Sequence, residues 1–194
     1  FVLPSLAAAQ TTIPGGTIIN QTWTPSGSPY SVQGDITVPA GSTLTVQAGV
    51  EVRFATSDLS GSGTDASRPE LIVDGGTLNV NGTEANPVNF SSTGSAAGGW
   101  YGIIVSSGTA TINGALIEEA RVGIETQTDI SLNDVTLRTM NLYGLWVRGG
   151  RTTVDGLDAS DTRYGVYVES TGSIDLTNGL ITNQTSDGAY VRGG

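Results

Sequence analysis

The chain has 194 residues, enough for one domain with a substantial core, and carries 28 Gly but only 13% charged residues. It contains no Cys and no His, and all eight basic residues are Arg, so a thiolate nucleophile, an imidazole base, a Schiff-base lysine and a His/Cys zinc site are excluded. The formal charge of −10 argues against nucleic acid or an anionic membrane as partner, and no apolar run approaches the ~20 residues a membrane helix needs.

The opening segment FVLPSLAAAQ has two readings. It resembles the end of a signal peptide, with Ala7-Ala8-Ala9 as a small-residue processing site before Gln10. Alternatively it is an apolar capping or docking segment, opened by Pro4 and Ser5, that covers one end of the fold or packs on a neighbouring subunit. Residues 1–16 are therefore set apart from the repeats over residues 17–194.

The first regular elements come in threes. Ile36–Val38, Leu44–Val46 and Val50–Phe54 are short β-branched or apolar runs bounded by Gly, Pro and Ser, and Leu71–Val73, Leu78–Val80 and Val88–Phe90 repeat the set. Two insertions, Ala55–Glu70 and Ser91–Gly99, both leave after the third strand of consecutive sets. They are expected to project side by side.

From residue 102 the repeat becomes regular. Gly102, Gly123, Gly144, Gly165 and Gly188 are spaced 21, 21, 21 and 23 residues apart, and GLWVRGG at 144–150 returns as GAYVRGG at 188–194. Two further apolar stretches follow each of these glycines, such as Ile130–Leu132 and Val135–Leu137 after Gly123. Three strands per period, with no sustained 3.6-residue apolar period, predict an all-β parallel solenoid of stacked coils about 4.8 Å apart. Alternation points Ile103, Ile124, Leu145, Val166 and Ala189 inward, with Val105, Thr126, Val147, Val168 and Val191. It points Ile104, Glu125, Trp146, Tyr167 and Tyr190 outward, so Leu145→Asp is expected to be severe and Glu125→Gln to do little. An immunoglobulin-like sandwich is the rival fold, but its strands have no reason to recur at a fixed period.

The stretches YSVQGDITVPAGSTLTVQAGVEVRF (30–54), LIVDGGTLNVNGTEANPVNF (71–90) and WYGIIV (100–105) resemble the opening coils of large secreted bacterial right-handed β-helix proteins of the pectate-lyase-like superfamily. The resemblance implies a right-handed parallel β-helix, in agreement with the crossover preference of parallel strands. It says little about activity, since that superfamily includes lyases, hydrolases, adhesins, tailspikes and stalks. Its lyases use Asp-held calcium with an Arg base, and its hydrolases use close Asp residues, commonly with a His nearby. This chain has no His, and its sequence carries neither paired-Asp nor Gly-His-Gly patterns, so a non-catalytic member is expected.

Three features are candidates for chemistry. Asp155, Asp158 and Asp161, with Arg138 and Arg163 as basic neighbours, form the best carboxylate group for calcium or a lyase centre, although Asp is also a common turn residue. Glu118-Glu119 and Asp58/Asp65/Glu70 are weaker, because strand neighbours face opposite ways and loop acids are usually solvated. The second feature is the column Trp146, Tyr167 and Tyr190, flanked by Ser106, Gln127, Arg148, Glu169 and Arg192; it suits a glycan or protein partner, or simply strengthens the sheet. The third is structural: Asn113, Asn133, Asp155 and Asn178 recur after the second strand and are expected to stack as a side-chain ladder. Sequons at Asn20, Asn81, Asn89 and Asn183 are a weak sign of glycosylation in a chain so rich in Asn and Thr.

The sequence given stops at Gly194, after the first strand of a new coil, where a solenoid needs a cap. Either the polypeptide continues or another subunit covers the edge, and the second option gives end-to-end self-association into a filament. The functional expectation is an extracellular or cell-surface scaffold, stalk or adhesin without a cofactor. The alternatives are a glycan-binding module and a polysaccharide lyase or hydrolase.

Overall fold

A computed structural model describes residues 10–193. All strands of these residues pair in parallel, and one 3-10 turn, Pro25–Gly27, is the single helical element among them. The opening segment Phe1–Ala9, with its two readings, lies outside the described residues.

The strands stack in three ladders, with each coil visiting them in the same order. Ladder A holds Thr11–Ile13, Tyr30–Val32, Glu51–Phe54 and Val88–Ser92, followed by 115–118, 135–138, 157–160 and 179–182. Ladder B holds Gly16–Thr17, Ile36–Pro39, 70–74, 102–107, Val122–Thr126, Tyr143–Val147, Tyr164–Val168 and Ala189–Val191. Ladder C runs from Gln21–Trp23 through Thr43–Gln47, 77–81 and 109–113 to 174–177. This is a parallel β-helix, with the register that the glycine spacing predicts: Ile103 pairs with Ile124, then Leu145, Val166 and Ala189. The stack begins earlier than a start at residue 17 allows, because Thr11 already pairs with Tyr30. That first coil has strands of two or three residues, too short for an apolar pattern to show.

The inward positions form one continuous core from Ile18 to Val168, with Leu44, Leu71, Ile103, Ile124 and Leu145 fully buried. Stacked aromatics fill part of it: Trp23 on Tyr30 at 4.6 Å and Phe54 on Trp100 at 4.0 Å. Each large aliphatic side chain buried this way contributes about 1.5–3 kcal/mol.

The repeated glycines mark where successive coils approach most closely. A Cβ on Gly123 or Gly144 would sit 2.6 or 2.5 Å from the carbonyl oxygen of the glycine one coil above. No side chain fits there, so the 21-residue spacing of Gly is a packing requirement.

At the corner between ladders C and A the structure corrects the expected ladder. Asn113, Asn133 and Asp155 align with Thr177, not with Asn178. Asn178 belongs to the next position, with Gly114, Asp134 and Gly156, where every residue has positive φ between 51° and 77°. Gly, Asp and Asn recur here because they tolerate the left-handed conformation. The cross-coil side-chain bonds at this corner run from Thr177 and Asn178 to Asp155, at 3.0 and 2.7 Å.

Candidate binding face

The outer surface of ladder B carries the candidate site. Its central positions align as Ile72, Ile104, Glu125, Trp146, Tyr167 and Tyr190. The Trp146–Tyr167–Tyr190 column of the sequence is therefore real, and Tyr167 stacks on Tyr190 with centroids 4.9 Å apart.

A second aromatic row lies beside it, one that reading strand alternation alone misses. Tyr143 and Tyr164 pair across coils just ahead of the repeated glycines, and Tyr101 precedes Gly102 in the same way. Strict alternation places Tyr143 inward with Leu145. Tyr143 nevertheless packs outside the core, with Tyr101, Ile104 and Val122. Its ring lies 4.8 Å from Trp146, 5.3 Å from Tyr164 and 5.0 Å from Tyr167. The signal was the recurrent Tyr-Gly pair at 101, 143 and 164.

Charge knits this face together from beneath. Glu125 faces outward as expected, yet it is only 1% exposed, which overturns its reading as a dispensable surface residue. Tyr101 Oη donates to Glu125 Oε2 at 2.7 Å, and Arg148 Nη1 donates to Glu125 Oε1 at 2.6 Å. Arg148 then lies over the Trp146 ring, 4.7 Å from its centroid. The bond to Glu125 raises the Arg148 pKa further, and burial followed by the Glu125 charge pushes the Tyr101 hydroxyl well above the usual phenol range. Farther along, Glu169 accepts from Trp146 Nε1 at 3.4 Å and from Arg192 at 3.3 Å.

At its lower end the face runs into a pocket of about 270 Å³. Tyr101, Tyr143 and Trp146 line it, Thr64 and Asp65 of the first insertion wall it, and Arg121 stands beside them. The nearest acid to the Arg121 guanidinium is Asp65, at 3.9 Å, and that carboxylate already takes a 2.7 Å bond from Arg68. Burial pushes the Asp65 pKa up, but bonds from Ser67 and Arg68 outweigh it and hold the group below its ordinary value. The two insertions do lie side by side: Arg68 Nε donates to Gly98 O at 2.7 Å.

The first insertion is held by carboxylates that the sequence places in solvent. Asp58 accepts from the amides of Asp35, Ser60 and Ser62. Asp35 is 5% exposed and Glu70 fully buried, and a Cβ on Gly63 would lie 2.9 Å from Asp35 Oδ2 and closer still to Glu70 Oε2. The two acids thus face each other across that glycine.

The Asp155, Asp158 and Asp161 group is not assembled. Asp155 ends a ladder C strand and binds Thr177 and Asn178, Asp158 faces outward on ladder A opposite Thr136, and Asp161 turns away at the next corner with φ 54°. Among the described residues no group of three or more acids is placed to hold a metal ion. Arg138 is engaged by Glu118 at 2.8 Å, and Arg163 lies over Tyr164. Three consecutive acids on an extended strand and its turns spread over roughly 20 Å of chain, which explains the failure. Of the sequons, Asn20, Asn81 and Asn183 are exposed, whereas Asn89 carries a buried Oδ1.

The coil register and the family comparison agree. The family model of the pectate-lyase like beta helix domain matches residues 16–135. The chain belongs to that family. No curated protein and no solved structure matches it. In this pectate-lyase-like chain the matched region spans both insertions, the pocket residues Tyr101 and Arg121, and Glu125, whereas Trp146, Tyr167 and Tyr190 lie on later coils of the same stack.

Proposed function

We propose that this pectate-lyase-like β-helix is an extracellular or cell-surface scaffold that binds a glycan along the outer face of ladder B. The observation that carries the reading is the gathering of Tyr101, Tyr143 and Trp146 around one pocket, continued by Tyr164, Tyr167 and Tyr190. From the coil of Tyr101 to that of Tyr190 is four coil rises, roughly 19 Å, the length of a short oligosaccharide. Flat aromatic faces stack on sugar rings, and Arg121, Arg148 and Glu169 offer polar groups to the hydroxyls beside them. Because these side chains sit on paired strands, the face is preorganised and loses little entropy on binding.

The test is an oligosaccharide array, followed by titration of the intrinsic fluorescence. Trp146 is the half-buried tryptophan, while Trp23 and Trp100 are 2% and 0% exposed, so a bound sugar reports through Trp146. Binding that weakens at least tenfold in Trp146→Ala and Tyr167→Ala supports the reading. Binding that is unchanged in both, or absent from a broad array of neutral and acidic glycans, overturns it.

A further inference from the structure

The insertion over residues 55–69 does more than pack against its neighbour. Its residues Thr64 and Asp65 form a wall of the aromatic pocket, and the same two residues are tied by their backbone amides to the buried Glu70 carboxylate, at 2.9 and 2.6 Å. Ser62 Oγ donates to Asp35 at 2.7 Å, the Asp35 amide donates to Asp58 at 3.2 Å, and the Ser60 and Ser62 amides close on Asp58 within the insertion, while Leu59 N to Gln33 O at 3.0 Å and Arg68 Nε to Gly98 O at 2.7 Å hold its flanks. Thr64 and Asp65, the part that walls the pocket, therefore hang on an acid.

That acid is crowded. Glu70 is fully buried and faces Asp35 across Gly63. Asp58 and Asp65 of the insertion add negative charge near them, and the buried Tyr101 hydroxyl faces the same group from ladder B, neutral and engaged by Glu125. The cations on this side are Arg68, which is spent on Asp65 and Gly98, and Arg121, which lies nearest Asp65. No described cation forms an ion pair with Asp35 or Glu70. Burial pushes the Glu70 carboxyl up to about 7, repulsion from Asp35 and Asp65 adds to it, and the two amide bonds oppose it; burial likewise raises Asp35.

We propose that the 55–69 insertion is a proton-controlled wall of the Tyr101–Tyr143–Trp146 pocket, closed while Glu70 carries a proton and loosened once Glu70 and Asp35 are both ionised. A closed wall completes the pocket. Two ionised carboxylates facing each other in a buried site draw water and separate, and Thr64 and Asp65 move with the insertion away from the aromatic rings. If the opened wall returns Glu70 to its ordinary value, linkage raises the opening equilibrium about 300-fold in total, and about tenfold between pH 6 and pH 8. The consequence for ligand binding rests on the glycan reading above, but the test below uses no ligand, so the two fail separately.

The experiment measures amide exchange of Thr64 and Asp65 by NMR, corrected for intrinsic exchange, across pH 5.5 to 8.5, with Trp146 quenching by acrylamide in parallel. The expected wild-type result is a roughly tenfold loss of protection between pH 6 and pH 8, with more accessible Trp146 and unchanged protection in the ladder B strands. Glu70→Gln removes the titrating group and should flatten the profile. Asp35→Asn keeps an oxygen for the Glu70 amide, reverses the Ser62 bond so that its NH2 donates to Ser62 Oγ, and removes the facing charge, and should move the midpoint to lower pH. A flat wild-type profile overturns the proposal, as does a fall that persists unaltered in Glu70→Gln. If Glu70→Gln does not fold, an unmoved midpoint in Asp35→Asn overturns it instead.

Discussion

Replacing Glu125 by Gln tests whether the binding face is held together from beneath. The side chain is 2% exposed and takes two charge-assisted bonds, from Tyr101 Oη at 2.7 Å and Arg148 Nη1 at 2.6 Å. In the Glu125→Gln variant the new amide oxygen still accepts from Tyr101, but the NH2 group confronts the guanidinium and the ion pair is lost. A hydrogen bond to a charged group contributes about 1.5–3 kcal/mol. The Arg148 side chain is 43% exposed and recovers water when released, so the value is discounted to about 2 kcal/mol. For a chain of this length that lowers the melting temperature by roughly 4–8 °C. The reverse deletion, Arg148→Ala, strands the buried carboxylate and should cost more, about 3 kcal/mol, since only Tyr101 remains to satisfy it. Both variants are measured by thermal and urea unfolding, with the cation–π contact followed by Trp146 fluorescence. A Glu125→Gln protein within about 0.5 kcal/mol of wild type, with unaltered Trp146 emission, would refute the reasoning.

Other perturbations address the core, the coil spacing and the buried acids. Leu145→Asp places an unpaired charge at a fully buried position and should yield no cooperatively folded protein, whereas native-like melting would contradict the inward assignment. Gly144→Ala sets a methyl 2.5 Å from the Gly165 carbonyl and should cost about 2 kcal/mol; Gly188→Ala, in the same column but with no atom nearer than Ile181 Cγ2 at 3.6 Å, should cost less than about 1 kcal/mol, and equal losses in urea unfolding would remove close approach as the reason for the glycine column. Glu70, raised from 4.5 to about 7, binds its proton more tightly folded than unfolded, so its contribution is fully present below about pH 4.5 and is lost as pH rises through 7. That loss is up to about 3 kcal/mol, and Glu70→Gln should remove this component from the pH dependence of unfolding.

The fold was legible because stacking imposes one-dimensional order. Each coil repeats the same environment at the same interval, so Gly102, Gly123, Gly144 and Gly165 recur in the sequence as they do in space. Leu145 and Val166 are apolar for the same reason. The column Trp146, Tyr167 and Tyr190 followed from that register without further information. Tyr101 and Tyr143 were not legible in this way, because strict alternation sets them with the inward residues Ile103 and Leu145, whereas they pack outside the core.

Period and composition thus determined the parallel coil, its register and which faces look inward, since these depend on contacts between equivalent positions of neighbouring coils. Only the tertiary structure decided which outward residues are exposed. Glu125 lies outside the core yet is buried, because Tyr101 and Arg148 close over it from different coils. Glu70 and Asp35 stand at equivalent positions of consecutive coils, just ahead of the paired Ile36 and Leu71, but only the insertion folding back over them buries both. Asp155, Asp158 and Asp161, only three positions apart in sequence, do not gather into a metal-holding group. Insertions carry no period, so their folding back, and the carboxylates it buries, cannot be read from a repeat; they follow from where the backbone donors of Thr64, Asp65 and Ser62 find acceptors.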